Sequence, residues 1–128
     1  MKTILLADDD ASIRKMLGQV LILEQYNVVF ATTGREAAAQ FISHQPDLVL
    51  LDLNMPDRDG WDAFLLMKST HPTVPVVVIT ALPHQHQRAA EYGVAALLEK
   101  PLDIKILLRT IRDNLTGSQG KPVKHMAA

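Results

Sequence analysis

The sequence contains no cysteine among its 128 residues. This absence excludes disulfide bonds and thiolate-ligated metal sites, and it fits a reducing compartment. The formal net charge is only −1, so no strong overall field attracts nucleic acid or an anionic membrane surface. No apolar run approaches the roughly 20 residues that a membrane-spanning helix needs. We therefore expect a cytoplasmic protein that binds neither nucleic acid nor a membrane directly.

The N-terminal segment also lacks the features of a signal peptide. Met1-Lys2-Thr3 is followed by a short apolar run over residues 4–7 and then by acidic residues. Neither a long apolar core nor a small-residue cleavage site is present. With 48% apolar and 21% charged residues, the chain has the size and composition of one globular domain.

Five short apolar runs alternate with five segments of helical periodicity. Uninterrupted apolar runs bounded by turn residues are typical of strands that are buried on both faces of a parallel sheet. The alternation, with short connections, predicts right-handed βαβ units and an open sheet covered by helices on both faces. The predicted strands are residues 4–7, 28–31, a third run that ends at Asp52, 76–79 and 94–98.

The predicted helices differ in how much apolar surface they offer. The last one has a clean amphipathic pattern from Ile104 to Leu115. The helix that begins after Gly34 is predicted to bury a stripe that consists of Ala37, Ala38, Phe41 and Ile42. By contrast, the helix predicted from Pro83 to Tyr92 has only polar residues at 84–88. We expect this helix to be held less firmly than its neighbours.

Polar residues stand at the ends of four predicted strands, namely Asp8 and Asp9, then Asp52, then Thr80, and then Lys100. In an open α/β sheet the ligand crevice lies outside the carboxyl ends of the strands, so these residues should converge there. Clustered carboxylates repel one another unless a cation intervenes. Oxygen ligands without His or Cys favour a hard cation such as Mg²⁺. A hydroxyl and an ammonium beside them suit phosphoryl transfer to an aspartate nucleophile.

Several of the singled-out residues also have plain structural interpretations. Acidic residues before a helix suit the positive end of its dipole, and one acid after a strand can simply begin a loop. The Arg14-Lys15 pair is interpreted as a solvated helix face. His84 and His86 are two positions apart, which points them in different directions on a helix, so solvated side chains are favoured over metal ligands.

These motifs resemble the receiver domain of bacterial two-component response regulators, over essentially residues 2–115. The resemblance rests on Asp8-Asp9 with Arg14, Leu51-Asp52-Leu53-Asn54-Met55-Pro56 with Gly60, Thr80-Ala81 and Lys100-Pro101, all in register with the five strands. It implies a flavodoxin-like α/β fold, a doubly wound parallel (βα)5 sheet with strand order 2-1-3-4-5. We expect a single receiver domain over residues 2–116 and a flexible linker or tail over residues 117–128.

The resemblance also implies a chemistry. Asp52 would accept a phosphoryl group from a sensor histidine kinase or a histidine phosphotransfer protein. Asp9 and Asp52 would hold Mg²⁺ through their carboxylates, Asp8 mostly through water, and Asn54 through its backbone carbonyl. Such a domain is a signalling phosphoacceptor, not an enzyme, apart from self-catalysed phosphoryl transfer and autodephosphorylation.

The same resemblance implies which residues and which surface change when Asp52 is phosphorylated. Thr80 and Lys100 would bind the phosphoryl oxygens, and the fourth helix, fifth strand and fifth helix would present the change to an output domain or protein, or to a second copy. Leu97 and Leu102 stand where the family usually has aromatic residues. We therefore expect the switch to act mainly through the 83–92 helix. Trp61 is interpreted as a packing or kinase-docking residue.

Two rival functions use the same sheet. An aspartyl-phosphate phosphatase generally needs a second acid two residues after its nucleophile, where this chain has Asn54. A degenerate receiver that acts only as an interaction module usually lacks one or more site residues, and here all are kept. No output region is recognisable after Leu115, so a stand-alone receiver and one domain of a longer regulator both fit.

Overall fold

The computed structural model describes residues 1–55 and 60–116, in which five strands alternate with five helices. The strands are β1 (Thr3–Ala7), β2 (Asn27–Ala31), β3 (Leu48–Asp52), β4 (Val76–Thr80) and β5 (Ala96–Glu99). The helices are α1 (Ala11–Leu23), α2 (Gly34–His44), α3 (Gly60–Thr70), α4 (His86–Tyr92) and α5 (Ile104–Leu115). Within these described ranges no helix has the length and apolarity needed to cross a membrane. The predicted tail over residues 117–128 lies outside the described residues.

The strands form one parallel sheet in the order β2-β1-β3-β4-β5. This is the predicted flavodoxin-like order. All five residues of β3 and all five of β4 are buried, because helices cover both faces of the centre of the sheet. The carboxyl ends of β1, β3 and β4 therefore lie side by side, and this places the predicted site residues at one edge.

The hydrophobic core has two layers, one on each face of the sheet. On one face, α2 and α3 contribute Phe41, Phe64 and Met67, all of which are buried. On the other face, α1 and α5 bury Leu17, Leu21, Leu107 and Ile111. The prediction of helices on both faces is confirmed.

The structure corrects two details of the predicted helices. Helix α4 begins at His86, not at Pro83. His84 has a φ of 60°, in the left-handed region, and a residue in that conformation cannot continue a right-handed helix. Ile42 was predicted to be buried but is 52% exposed. It follows Phe41 directly, about 100° further round the helix, so it lies at the edge of the buried stripe.

The fifth strand also begins later than predicted, at Ala96. After Gly93, which ends α4 with a φ of 76°, the Val94 N–H still donates to the Ala89 carbonyl. Val94 therefore belongs to the helix end, and the first bond to β4 is made by the Ala95 N–H with the Val76 carbonyl.

Candidate functional site

Three consecutive acids follow β1, and the structure gives them different surroundings. Asp8 is fully buried, and its N–H donates to the Ala31 carbonyl at 3.0 Å. Asp10 caps α1, because its carboxylate accepts from the Ser12 and Ile13 N–H groups. Asp9, between them, is exposed. Asp10 therefore stabilises the start of α1, while Asp8 and Asp9 lie at the carboxyl edge of the sheet.

Asp52 ends β3 and is only 3% exposed. Its Oδ1 accepts a hydrogen bond from the Asn54 N–H at 3.0 Å. Each of Asp8, Asp9 and Asp52 offers one carboxylate oxygen such that all three atoms lie within 4.8 Å of one another. Hard oxygen donors this close together suit a divalent cation such as Mg²⁺.

Lys100 follows β5 and reaches into the same cluster. Its Nζ lies 3.1 Å from Asp8 Oδ2 and 3.4 Å from Asp52 Oδ2. The Lys100 N–H donates to the Thr80 carbonyl at 2.8 Å, which fixes the backbone from which this side chain extends. The ammonium thus partly neutralises two buried carboxylates.

The burial of the cluster changes the protonation of two of its groups. Burial raises the pKa of Asp52 from 3.8 to about 6. The Asn54 N–H opposes this rise, the charge of Asp8 adds to it, and the charge of Lys100 opposes it. Burial alone would lower the pKa of Lys100, but its hydrogen bond to Asp8 and the charges of Asp52 and Asp8 outweigh that effect and hold this pKa above its ordinary value. At neutral pH the site therefore contains a carboxylate that is ionised at a free-energy cost.

Thr80 and Asn54 are placed differently from the carboxylates. Thr80 is fully buried at the end of β4, and its Oγ1 accepts from the Leu82 N–H at 2.8 Å. Its hydroxyl is therefore tied to the loop before α4 and still has its own hydrogen to donate. Asn54 is exposed, and its backbone N–H donates to Asp52. The predicted role of its backbone carbonyl stays a prediction.

Arg14 corrects the interpretation of Arg14-Lys15 as a solvated face. Its Nη1 donates to the Asp8 carbonyl at 2.8 Å, and the side chain is half-buried, whereas Lys15 is exposed. The residue lies four positions after the Asp10 cap, and helical side chains point back toward the N-terminus. Arg14 can therefore reach the turn before α1.

Trp61 is 4% exposed and packs edge-on against Phe64 and Tyr92. Of the two interpretations offered for it, packing is the one the structure supports, because a buried ring offers little surface to a partner. His86 lies 3.2 Å from Glu99, and both side chains are more than half exposed. His84 is exposed too. Neither histidine belongs to the acidic cluster.

A doubly wound parallel sheet with acids, a threonine and a lysine at its carboxyl edge defines a class of signalling domain. The family model for the response regulator receiver domain matches residues 4–112, and the chain belongs to this family. Among curated relatives, it is 39% identical over 113 residues to the transcriptional regulatory protein PdtaR of Mycobacterium tuberculosis. It is 36% identical over 118 residues to the transcriptional regulatory protein GlrR of Escherichia coli.

Two solved structures show the same likeness in three dimensions. A CheY-like receiver domain from Methanospirillum hungatei superposes with a TM-score of 0.88 at 26% identity, covering 95% of this chain and 99% of that one. The response regulator TrrA from Thermotoga maritima was solved in complex with Mg²⁺ and BeF. It superposes with a TM-score of 0.84 at 28% identity, and the match covers 90% of this chain and 100% of that one. The curated matches cover 86% of this chain and 55% of PdtaR, and 90% of this chain and 26% of GlrR. The chain thus spans only part of those relatives.

Proposed function

We propose that this protein is the phosphoacceptor receiver of a two-component signalling system, with Asp52 as the residue that takes the phosphoryl group. The donor is a sensor histidine kinase or a histidine phosphotransfer protein. The observation that carries the proposal is the buried cluster in which Lys100 Nζ lies between Asp8 and Asp52. A carboxylate held among a cation and further acids, at the crevice of an open α/β sheet, is suited to attack phosphorus.

The residues divide the work as follows. An ionised Asp52 oxygen attacks the phosphorus of the donor, so that one P–O bond forms while the bond from phosphorus to the donor nitrogen breaks. Lys100 is already within 3.4 Å of Asp52 Oδ2, and its charge offsets the charge that the phosphoryl oxygens bring. The Thr80 hydroxyl hydrogen is available for one of those oxygens. The domain is itself the acceptor of the phosphoryl group, so it is a phosphoacceptor and not an enzyme that turns over a separate substrate.

The acidic cluster fits Mg²⁺ by the chemistry of its donors. Asp8, Asp9 and Asp52 would hold the ion, with the Asn54 carbonyl as a further ligand. When bound, Mg²⁺ supplies positive charge that stabilises the phosphoryl oxygens during transfer. Asp8 and Asp52 are buried, so water only partly screens their repulsion, and the charge of Lys100 offsets only part of it.

We expect Asp9→Asn to raise the melting temperature in EDTA, because one member of the repelling cluster loses its charge. Mg²⁺ at ten times its dissociation constant should stabilise the wild-type protein by about 1.4 kcal/mol through mass action, and the variant by clearly less. Thermal unfolding with EDTA and with Mg²⁺ measures both effects. Asp10→Asn is the matched control, since asparagine also caps helices well. An equal Mg²⁺ response in wild type and Asp9→Asn would place the metal elsewhere.

We infer that the phosphorylated state is recognised on the surface formed by α4, β5 and α5, by an output domain, an output protein or a second copy of the chain. A shallow groove there is lined by side chains that include His86, Leu97, Leu102 and Ile106. Ile106 is 45% exposed, which suits an apolar contact, whereas Leu102 is half-buried and offers less apolar surface to a partner. We place this signalling in the cytoplasm.

The proposal is tested by phosphorylation with a small donor. Incubation with acetyl phosphate and Mg²⁺ should add one phosphoryl group to the wild-type protein, as measured by intact-mass spectrometry, and EDTA should suppress the addition. Asp52→Asn should add none. Asp62→Asn, which removes an exposed acid from the first turn of α3, is the control and should be labelled like the wild type. Equal labelling of Asp52→Asn and wild type would exclude Asp52 as the acceptor.

A further inference from the structure

Helix α4 is connected to α3 by a hydrogen bond between two side chains. The Trp61 Nε1–H donates to Gln85 Oε1 at 3.0 Å, and Gln85 is the residue immediately before α4. The helix has only seven residues, and Ala89 is its one buried residue. Since Ala89 is the one buried residue of α4, the bond to Trp61 adds a polar restraint at the start of a helix that buries little apolar surface.

Aromatic contacts extend this connection along α4. The Trp61 ring lies edge-on to Tyr92, near the end of α4, with the ring centroids 5.1 Å apart. The Phe64 ring stacks on Tyr92 at 6.1 Å. Helix α3 therefore contacts α4 at both ends, through Gln85 and through Tyr92.

The loop between β4 and α4 is held at both of its ends. At the first end, Thr80 Oγ1 accepts from the Leu82 N–H. At the second end, the Gln85 amide bonds to Trp61 through its oxygen and to the Pro83 carbonyl through its nitrogen, at 3.0 Å. Between them, His84 has a φ of 60°, a conformation that residues with a side chain seldom adopt. These three bonds thus maintain a loop that is strained in the middle.

Trp61, the donor of the hydrogen bond to Gln85, lies at the start of α3, close to Asp52. Gly60, the first residue of α3, donates its N–H to the Leu53 carbonyl at 3.1 Å. A methyl group at Gly60 would lie 2.5 Å from the Leu53 Cα, so α3 begins in direct contact with the end of β3. Trp61 therefore directly follows a residue that contacts Leu53, the neighbour of Asp52.

We propose that the Trp61–Gln85 hydrogen bond is a latch that keeps the 81–85 loop and α4 in the resting arrangement and sets how readily phosphorylation moves them; this rests on the proposed function of Asp52. A phosphoryl group that draws in the Thr80 hydroxyl disturbs the Leu82 bond at one end of the loop. The Trp61–Gln85 bond then still holds the other end of the loop and opposes its movement. Leu97 cannot supply the packing change of a large ring, so the loop and α4 are the elements that respond.

Two substitutions open the latch by different means. Trp61→Phe keeps a ring beside Tyr92 but removes the indole N–H, and Gln85→Met keeps the length of the side chain but removes its amide. Without phosphate or metal, both should accelerate amide hydrogen exchange over residues 81–92 while leaving β3 unchanged. Both should also tighten binding of beryllofluoride with Mg²⁺ about fivefold, since a net hydrogen bond no longer favours the resting state. Calorimetric titration measures this affinity.

The double variant and a control make the test specific. If the two side chains act through one bond, Trp61→Phe combined with Gln85→Met should change affinity no more than the larger of the two single effects, since Gln85→Met also removes the bond to the Pro83 carbonyl. Tyr92→Phe, which keeps the ring contacts, should behave like the wild type. Unchanged exchange over 81–92 in both single variants, or additive effects on affinity, would overturn the latch. A wild-type protein that does not bind beryllofluoride would overturn the proposed function instead, and the exchange result would still decide whether the bond fixes α4.

Discussion

Replacing Asp52 with asparagine is expected to stabilise the metal-free protein at pH 7 by about 2 to 3 kcal/mol. Burial raises the pKa of Asp52 from 3.8 to about 6, although Lys100 and the Asn54 N–H oppose the rise. One pKa unit corresponds to about 1.4 kcal/mol, so the ionised form of this carboxylate costs the folded state a few kcal/mol. An asparagine carries no charge, and its Oδ1 can still accept from the Asn54 N–H. The expected stabilisation equals the free energy by which the buried, ionised Asp52 carboxylate destabilises the folded wild-type protein.

The pH dependence of this effect has a definite sign. Below pH 3.8 the carboxyl is protonated in both states, and between 3.8 and about 6 the folded state binds more protons than the unfolded state. The free energy of unfolding contributed by Asp52 therefore falls as pH rises through this window and levels off above it. The difference between Asp52→Asn and wild type, from urea denaturation at several pH values, should grow from pH 4 to about 6. A difference that stays constant would show that the Asp52 pKa is unshifted.

Replacing Gly60 with alanine is expected to destabilise the protein by about 2 to 3 kcal/mol, the upper part of the range of about 1 to 3 kcal/mol that overpacking a core costs. The added methyl group would lie 2.5 Å from Leu53 Cα and 2.9 Å from the Asp52 carbonyl oxygen. Both atoms belong to the backbone at the end of β3, which cannot rotate away as a side chain can. Helix α3 must shift instead, and Trp61 shifts with it. Urea denaturation should show a lower midpoint with an unchanged slope.

Gly18→Ala is the matched control for this substitution. Its methyl group would lie 2.8 Å from the Phe30 Cζ, which is the far end of a side chain that is 39% exposed and can turn away. Alanine is also favoured over glycine inside a helix by about 1 kcal/mol. We expect little net change or a slight stabilisation. If Gly18→Ala and Gly60→Ala lose the same stability, contact with the β3 backbone is not the cause.

The sequence predicted the sheet well because each strand is marked in two ways. A continuous apolar run identifies a buried strand, and a polar residue such as Asp52 or Thr80 marks its carboxyl end. Alternation of strands with helices then restricts the topology to parallel units, in which those ends share an edge. This local information was enough to predict that Asp8, Asp52 and Lys100 would lie together.

Other features depend on contacts that no local pattern encodes. The start of α4 was predicted three residues early because nothing in Pro83-His84-Gln85 reveals that His84 adopts a left-handed φ. That conformation accompanies the hydrogen bond that Gln85 accepts from Trp61, a residue distant in sequence. Arg14 was assigned to solvent because its partner is a backbone carbonyl, that of Asp8, and a backbone acceptor leaves no signature in the sequence.

The central claim is that Asp52 itself accepts the phosphoryl group, and site mapping tests it most directly. After acetyl phosphate treatment, borohydride converts an aspartyl phosphate to a stable alcohol. Trypsin cleaves after Arg35 and Arg58, and the peptide between them contains three aspartates, at positions 47, 52 and 57. Fragmentation by mass spectrometry should locate the reduced residue at position 52 alone. Reduction at position 47 or 57, or in the peptide that contains Asp8 and Asp9, would contradict the account.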